Sequence, residues 1–198
     1  MKKKKVLIQI FFLFIVLILS GCNEKKTNNE SNNGFNDEDW LIDYSPVHSV
    51  GSGNNNFWIN YPMDNPKSNQ SISHLSWVND SLKQGCVLFV VHMTGCESCQ
   101  PQADRVIDLA EKYKEHIVFH DLDASLGGSI EQRAYDSYLY DPDGSPGIIA
   151  LTGIFTLIEN NGNITYAWHS WERDVDFAEM ETWLKDGIYY WQQNRGGL

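Results

Sequence analysis

The chain has little positive charge: 15 Lys and Arg face 26 Asp and Glu, for a net charge of −11. A nucleic-acid-binding surface needs the opposite sign, so that class of partner is excluded. Cysteine is scarce. There are four, with a Cys-x-x-Cys spacing at Cys96 and Cys99 and no second pair like it, so a closed four-ligand zinc site is poorly supported. Gln100 rather than His follows Cys99, which removes the Cys-x-x-Cys-His pattern of covalent haem attachment. The apolar stretch Val6 to Leu19, broken only by Gln9, falls short of the about 20 residues that a membrane-spanning helix needs.

What stands at the start of the chain has a different use. Lys2 to Lys5 form a positive segment, the apolar stretch follows, and Leu19-Ser20-Gly21-Cys22 closes it with small residues. This is the layout of a secretory signal. The last four residues resemble the bacterial lipobox, which implies cleavage before Cys22 and a diacylglyceryl group on its thiol. Residues 1–21 are then the signal peptide, 22–45 a lipidated and flexible tether, and 46–198 the folded domain. Removing residues 1–21 takes away four lysines and no acid, leaving 11 basic against 26 acidic residues and a net charge of −15. So acidic a body gains nothing from anionic lipid; two or more acyl chains would do the anchoring. The expected location is the cell membrane, on its extracytoplasmic side. Cys86, Cys96 and Cys99 would then sit where disulfides persist. A monomer is expected.

Asn23 to about Asp39 is polar and Asn-rich, too poor in apolar residues to fold. Phe57 to Tyr61 suit a strand joined to the sheet. Ile72, Leu75, Val78 and Leu82 recur at helical spacing, with Gly85 to end the helix. Cys86 to Met93 is a continuous apolar run, which suits a strand buried on both faces. Ala103, Val106, Ile107, Ala110 and Tyr113 line one face of a helix. His116 to Asp123 reads as a second buried strand, and Ser129 to Tyr138 as a short helix. Gly153–Glu159, the turn at Asn160-Asn161-Gly162, and Asn163–Ser170 form a β-hairpin. Asp176, with Glu179 three residues on, starts a last helix carrying Phe177, Met180 and Leu184. The alternation predicts an α/β fold with a parallel sheet and an antiparallel hairpin at its edge.

Cys96 and Cys99 fall between a strand and a helix. Helix N–H groups and the macrodipole there favour the thiolate, the reactive form of a cysteine. A second cysteine one turn on can attack a mixed disulfide and release the partner. A structural disulfide and a metal site that adds His92 remain alternatives. Cys86, at the start of a buried strand, reads as an inert core thiol. Asp141-Pro142-Asp143-Gly144 looks faintly like a calcium loop, but turn chemistry explains it without an ion. The Trp and Tyr residues near the C-terminus read as packing.

From "VLFVVHMTGCESC" through the following helix, "IVFHDLD" and "GIFTLIENNGNITY", the chain resembles the thioredoxin superfamily over about residues 56–190. That resemblance implies a three-layer sandwich, a central mixed β-sheet flanked by helices. It implies that Cys96 is the nucleophile and Cys99 the resolving cysteine of a thiol–disulfide oxidoreductase without a cofactor or metal. It implies partners too: exported proteins with cysteines or disulfides, and an electron donor. The family carries a Gly-Ile-Pro-Thr-like segment whose cis-proline faces the cysteines. Gly153 to Thr156 takes that place here with Phe155 for proline, making Ile154 and Phe155 the docking residues and Pro146 the competitor for the role. Val90 replaces the family's buried aspartate, so Cys99 has no carboxylate there to take its proton. A non-catalytic lipoprotein that uses a degenerate form of this fold to bind a partner or a metal is the other expectation. Glu97 opposes the helix N-terminus at Cys96, which predicts a weak oxidant and flow of electrons toward substrate.

Overall fold

The uncharged stretch that opens at Cys86 becomes the centre of the molecule. The computed structural model describes residues 39–145, 147 and 149–197; Cys22 and Pro146 lie outside them. In chain order the elements are helix α1 (Asp39–Ile42), strands β1 (Ser49–Val50) and β2 (Asn56–Phe57), α2 (Ser76–Leu82), β3 (Cys86–His92), α3 (Gln100–Lys112), β4 (Ile117–Asp123), α4 (Gly128–Asp136), β5 (Leu151–Asn160), β6 (Asn163–Trp171) and α5 (Phe177–Asn194). Short 3-10 turns follow β4 at Ala124–Leu126 and α4 at Ser137–Tyr140.

The main sheet has four strands in the order β4-β3-β5-β6. β3 runs parallel to β4 and antiparallel to β5, and β5 is antiparallel to β6. The chain is therefore a mixed α/β protein. Every residue of β3 is buried, because helices cover both sides. Gln102 of α3 and Gly187 of α5 meet one face, at Thr152 and Thr156. Trp77 of α2 packs on Phe89 from the other face, where Ala134 of α4 shares a cavity with Val91. The hairpin turn has Asn161 at φ 54° and Gly162 at φ 81°, the left-handed pair that suits tight antiparallel strands.

Three expectations change. β4 is an edge strand with five of seven residues outside the buried class (Ile117–Asp121), since a parallel crossover leaves nothing on its outer side. The Phe57–Tyr61 segment does not extend the sheet as a full strand. β2 has two residues and pairs with β1, and Trp58 makes a single bridge to Trp168, with N–H···O=C bonds of 2.7 and 2.9 Å. Its aromatic rings nevertheless belong to the core: Phe57, Trp58 and Tyr61 are buried. The helix after Ser71 starts only at Ser76, and the Leu75 amide bonds to the Tyr140 hydroxyl at 2.9 Å instead.

Residues 40–48, drawn partly into the expected tether, lie against the domain. Trp40 meets Tyr113 edge-on. Asp186 of α5, fully buried, accepts from the Tyr44 hydroxyl at 2.5 Å, the Val47 and His48 amides at 3.1 and 2.8 Å, and pairs with His48 Nδ1 at 2.7 Å. A buried carboxylate so satisfied holds the N-terminal segment in place.

Candidate active site

β3 ends at His92 and α3 begins at Gln100, so the seven residues between them must reverse direction. Gly95 sits at φ 84°, a left-handed conformation that a side chain disfavours. The loop is held by Asp123, at the end of β4 beside it. Its Oδ1 accepts from the Thr94 amide at 3.1 Å, the Ser125 amide at 2.9 Å and the Ser125 hydroxyl at 2.7 Å, and its Oδ2 from the Thr94 hydroxyl at 2.5 Å. Burial pushes the Asp123 carboxyl up, but these donors win and hold it below the usual carboxylate range.

From there the chain winds into the helix. The Cys96 amide bonds to the Met93 carbonyl at 3.0 Å, and the Cys96 carbonyl accepts from Cys99 and Gln100 at 3.3 and 3.1 Å. Cys99 is the N-cap of α3, and Pro101 falls in the first turn, where a missing N–H costs nothing. Cys96 and Cys99 are joined as a disulfide with Cα atoms 5.5 Å apart. Their exposure differs. Cys99 is fully buried, while Cys96 is half-buried, so an incoming sulfur can reach only the first. The Ser98 hydroxyl lies 3.5 Å from Cys96 Sγ. The first turn of α3 is pinned by Gln102, whose Nε2 donates to the Thr152 hydroxyl at 3.0 Å and whose Oε1 accepts from the Val175 amide at 2.9 Å.

An apolar groove of about 270 Å³ is lined by Val91, Met93, Ala124, Tyr135, Tyr138 and Ile149, among others; Met93, whose carbonyl accepts from the Cys96 amide, connects it to the cysteine loop. Met93, three residues before Cys96, is 39% exposed. The Ile149–Ala150 peptide bond is cis.

Ile154 and Phe155 are not at this surface. Both are fully buried in β5, opposite Leu88 and Val87. The Phe155 ring packs on Tyr140 at 4.6 Å and on Phe89 at 5.7 Å between centroids, so neither residue can dock a substrate. The misplacement came from starting the strand at Gly153. β5 starts at Leu151, and Gly153 is inside it because a Cβ there would lie 2.3 Å from Phe89 Cε1. The apolar residues of "IIALTGIF" on both sides of Thr152 and Gly153 were the signal for an earlier start. Gly147 and Ile149, which line the groove, had none.

His92 packs at the end of its strand, with Nε2 2.6 Å from Asp121 Oδ1. Among the described residues, His92, Cys96 and Cys99 do not converge as a ligand set. Cys86 is buried near Gly187 and Ile154, and burial pushes its thiol well above the ordinary range, so it stays protonated and unreactive. Trp183 and Trp191 are buried and pack as expected; the Trp191 indole donates to the Leu82 carbonyl at 2.7 Å. No described helix is long and apolar enough to cross a membrane. Comparison with known protein families, curated proteins and solved structures finds no match to this chain.

Proposed function

We propose that the chain is a thioredoxin-like thiol–disulfide oxidoreductase, lipid-anchored through Cys22 on the extracytoplasmic side of the cell membrane. It reduces or isomerises disulfides in exported proteins. The observation that carries this reading is the asymmetric disulfide: one cysteine half-buried on a loop whose Met93 lines an apolar groove, the other fully buried at the cap of a helix. The sheet order supports it. A parallel pair joined through a helix, then an antiparallel hairpin, then a last helix on the α3 face is what the thioredoxin resemblance implies.

The chemistry balances on the two cysteines. With the pair reduced, the Cys96 thiolate attacks one sulfur of a substrate disulfide. The substrate's S–S bond breaks, its other sulfur leaves as a thiolate and takes a proton, and a mixed disulfide forms. Cys99 then loses its proton and attacks Cys96 Sγ, freeing the second substrate thiol. Two electrons have passed to the substrate and the Cys96–Cys99 disulfide has formed. A dithiol partner must reduce it again. Helix α3 supplies N–H groups toward the cysteines, and the Ser98 hydroxyl can hydrogen-bond the Cys96 thiolate. The groove binds the unfolded or extended stretch around a substrate cysteine by apolar contact.

The test is trapping. Cys99→Ala removes the resolving sulfur, so mixed disulfides with exported proteins accumulate on Cys96 and dissolve with reductant. A variant that captures nothing would make the chain a binding module without turnover. For the anchor, Cys22→Ala should release the protein or leave its precursor uncut, and unchanged membrane partitioning would sink the lipid.

A further inference from the structure

Cys99 must lose its proton before it attacks Cys96 Sγ, and its nearest neighbours do not take one. The cysteine is fully buried. The Met93 and Cys96 carbonyls lie 3.8 and 3.5 Å from its sulfur. A carbonyl accepts a hydrogen bond but does not remove a thiol proton.

His92 is the nearby group that has an open acceptor. Strand pleating puts it on the α3 side of β3. Val90, two residues before it, pairs with Thr152, Thr152 accepts from Gln102 of α3, and alternate residues of a strand share a face. The residue after His92 is Met93, whose carbonyl meets the Cys99 sulfur. The histidine is 5% exposed, and its two nitrogens have unlike surroundings. Nε2 lies 2.6 Å from Asp121 Oδ1. A carboxylate only accepts, so Nε2 carries the hydrogen and Nδ1 of the neutral ring is an acceptor. That Nδ1 is buried and receives no donor. Packing accounts for the ring and Asp121 for Nε2, but neither accounts for a buried acceptor left open. The Asp121 side chain is 47% exposed, so the pair leads from an acceptor inside the protein to a carboxylate in water.

We propose that His92, oriented by Asp121, takes the proton that Cys99 gives up, a step that rests on the oxidoreductase reading. The proton passes from the Cys99 thiol through one bridging water to Nδ1. The Cys99 thiolate attacks Cys96 Sγ, the bond from Cys96 to the substrate sulfur breaks, and that sulfur leaves with the electron pair. The imidazolium, held against Asp121, then sheds its Nε2 proton to water. When a dithiol partner reduces the disulfide, the same ring returns a proton to Cys99. The groups around the ring suit this task. From β4, Asp121 bonds it and Asp123 stands opposite it in the register, two acids that attract the charge the ring gains. The residues that α3 buries on the sheet, Gln102, Ala103, Val106, Leu109 and Ala110, are uncharged. Asp186, the acid that α5 buries, is taken by Tyr44 and His48.

The experiment reads the two thiols separately. The whole chain, reduced and purified in detergent, is mixed with DTNB, an aromatic disulfide that frees a coloured thiolate at each step. The first leaves when Cys96 attacks, at a rate set by the reagent concentration. The second leaves when Cys99 closes the disulfide, at a rate independent of it; Cys99→Ala, which lacks this phase, identifies it. His92→Gln keeps an amide donor for Asp121 but takes no proton. It should slow the second release about tenfold or more and leave the first within about twofold. Below the ordinary thiol pKa of about 8.5, the second release of this variant should quicken about tenfold per pH unit, since hydroxide now takes the proton; the unmodified chain should respond less steeply. Asp121→Asn, at an exposed side chain, guards against loss of the fold and should also slow the second release alone, by a smaller factor. If both phases slow alike in these variants, or neither slows, His92 only packs and the inference falls. An unmodified chain that frees no thiolate would sink the oxidoreductase reading, and this step with it.

Discussion

Asp123, at the end of β4, and Asp141, after the 3-10 turn at Ser137–Tyr140, are both buried aspartates, 5% and 3% exposed, and their carboxyls behave in opposite ways. Asp123 receives donors on both oxygens, from Thr94 and Ser125. Asp141 receives two backbone donors on one oxygen and none on the other. Burial pushes both up. The donors reverse that at Asp123; at Asp141 burial prevails over the Asp143 and Gly144 amides and a side-chain hydrogen bond with Glu172, and the carboxyl stays raised. Donor count decides between a carboxylate held ionised and one whose proton is held more tightly than usual. The first clamps the loop that carries the cysteines; the second closes the turn before β5.

The largest separation of the two loops should be catalytic. Cys96→Ala should bring disulfide exchange with a peptide substrate down to the uncatalysed rate, whereas Asp141→Asn leaves exchange within about twofold, since only an interaction with the reacting atoms contributes fully to rate. Equal losses would mean that the second loop takes part in the chemistry.

Stability should separate them by sign. Asp123→Asn deprives Thr94 and Ser125 of an anion and should cost about 1–3 kcal/mol in urea unfolding. Asp141→Asn keeps the acceptor for the two amides and turns a donor toward the other carboxylates. It should stabilise the chain by about 1 kcal/mol. Two losses of the same size would erase the contrast.

Acid should sharpen it further. A carboxyl whose folded pKa is depressed adds stability above its unfolded pKa of about 3.9 and loses it as pH falls below that value. Asp123→Asn should therefore flatten the stability curve below about pH 4. His169 gives a separate acid slope. Burial holds its imidazole at about 3, so between about pH 6.5 and that value the unfolded chain binds a proton that the folded one refuses. Stability should fall through that window, by at most about 1.4 kcal/mol per pH unit. Replacing His169 with Asn should lessen that slope without removing it, because burial also holds His74 and His120 at about 4.

The smallest effect belongs to Glu97, exposed beside Cys96. At about 6 Å and an effective dielectric of 40–80 its repulsion of the thiolate is roughly 0.7–1.4 kcal/mol. Glu97→Gln should raise the reduction potential by roughly 15–30 mV. The unmodified pair should stand nearer about −270 mV than −120 mV; a value at the oxidising end would reverse the proposed direction.

Much of this was legible before any coordinates. The apolar run at 86–92, the helical stripe through Ala103, Val106 and Ala110, and the Asn-Gly turn each declare themselves, because burial and backbone period act on neighbouring residues. The strand–Cys-x-x-Cys–helix junction followed from the same local reading. Harder to see was where β5 begins, since Gly153 resembles a start and is in truth a place where Phe89 needs room.

Local pattern therefore determined the elements, their order and the two cysteines. Tertiary structure alone decided that Ile154 and Phe155 are core, that β4 is an edge, that Asp123 clamps Thr94, and that Glu172 joins Asp141 and Asp143. The reason is distance along the chain. Hydrophobic period and turn preference are properties of a few consecutive residues. A side chain's exposure, its donors and its charged neighbours are set by segments 29 residues apart for Thr94 and Asp123, and farther for others. No local signal carries that information until the sheet brings them together.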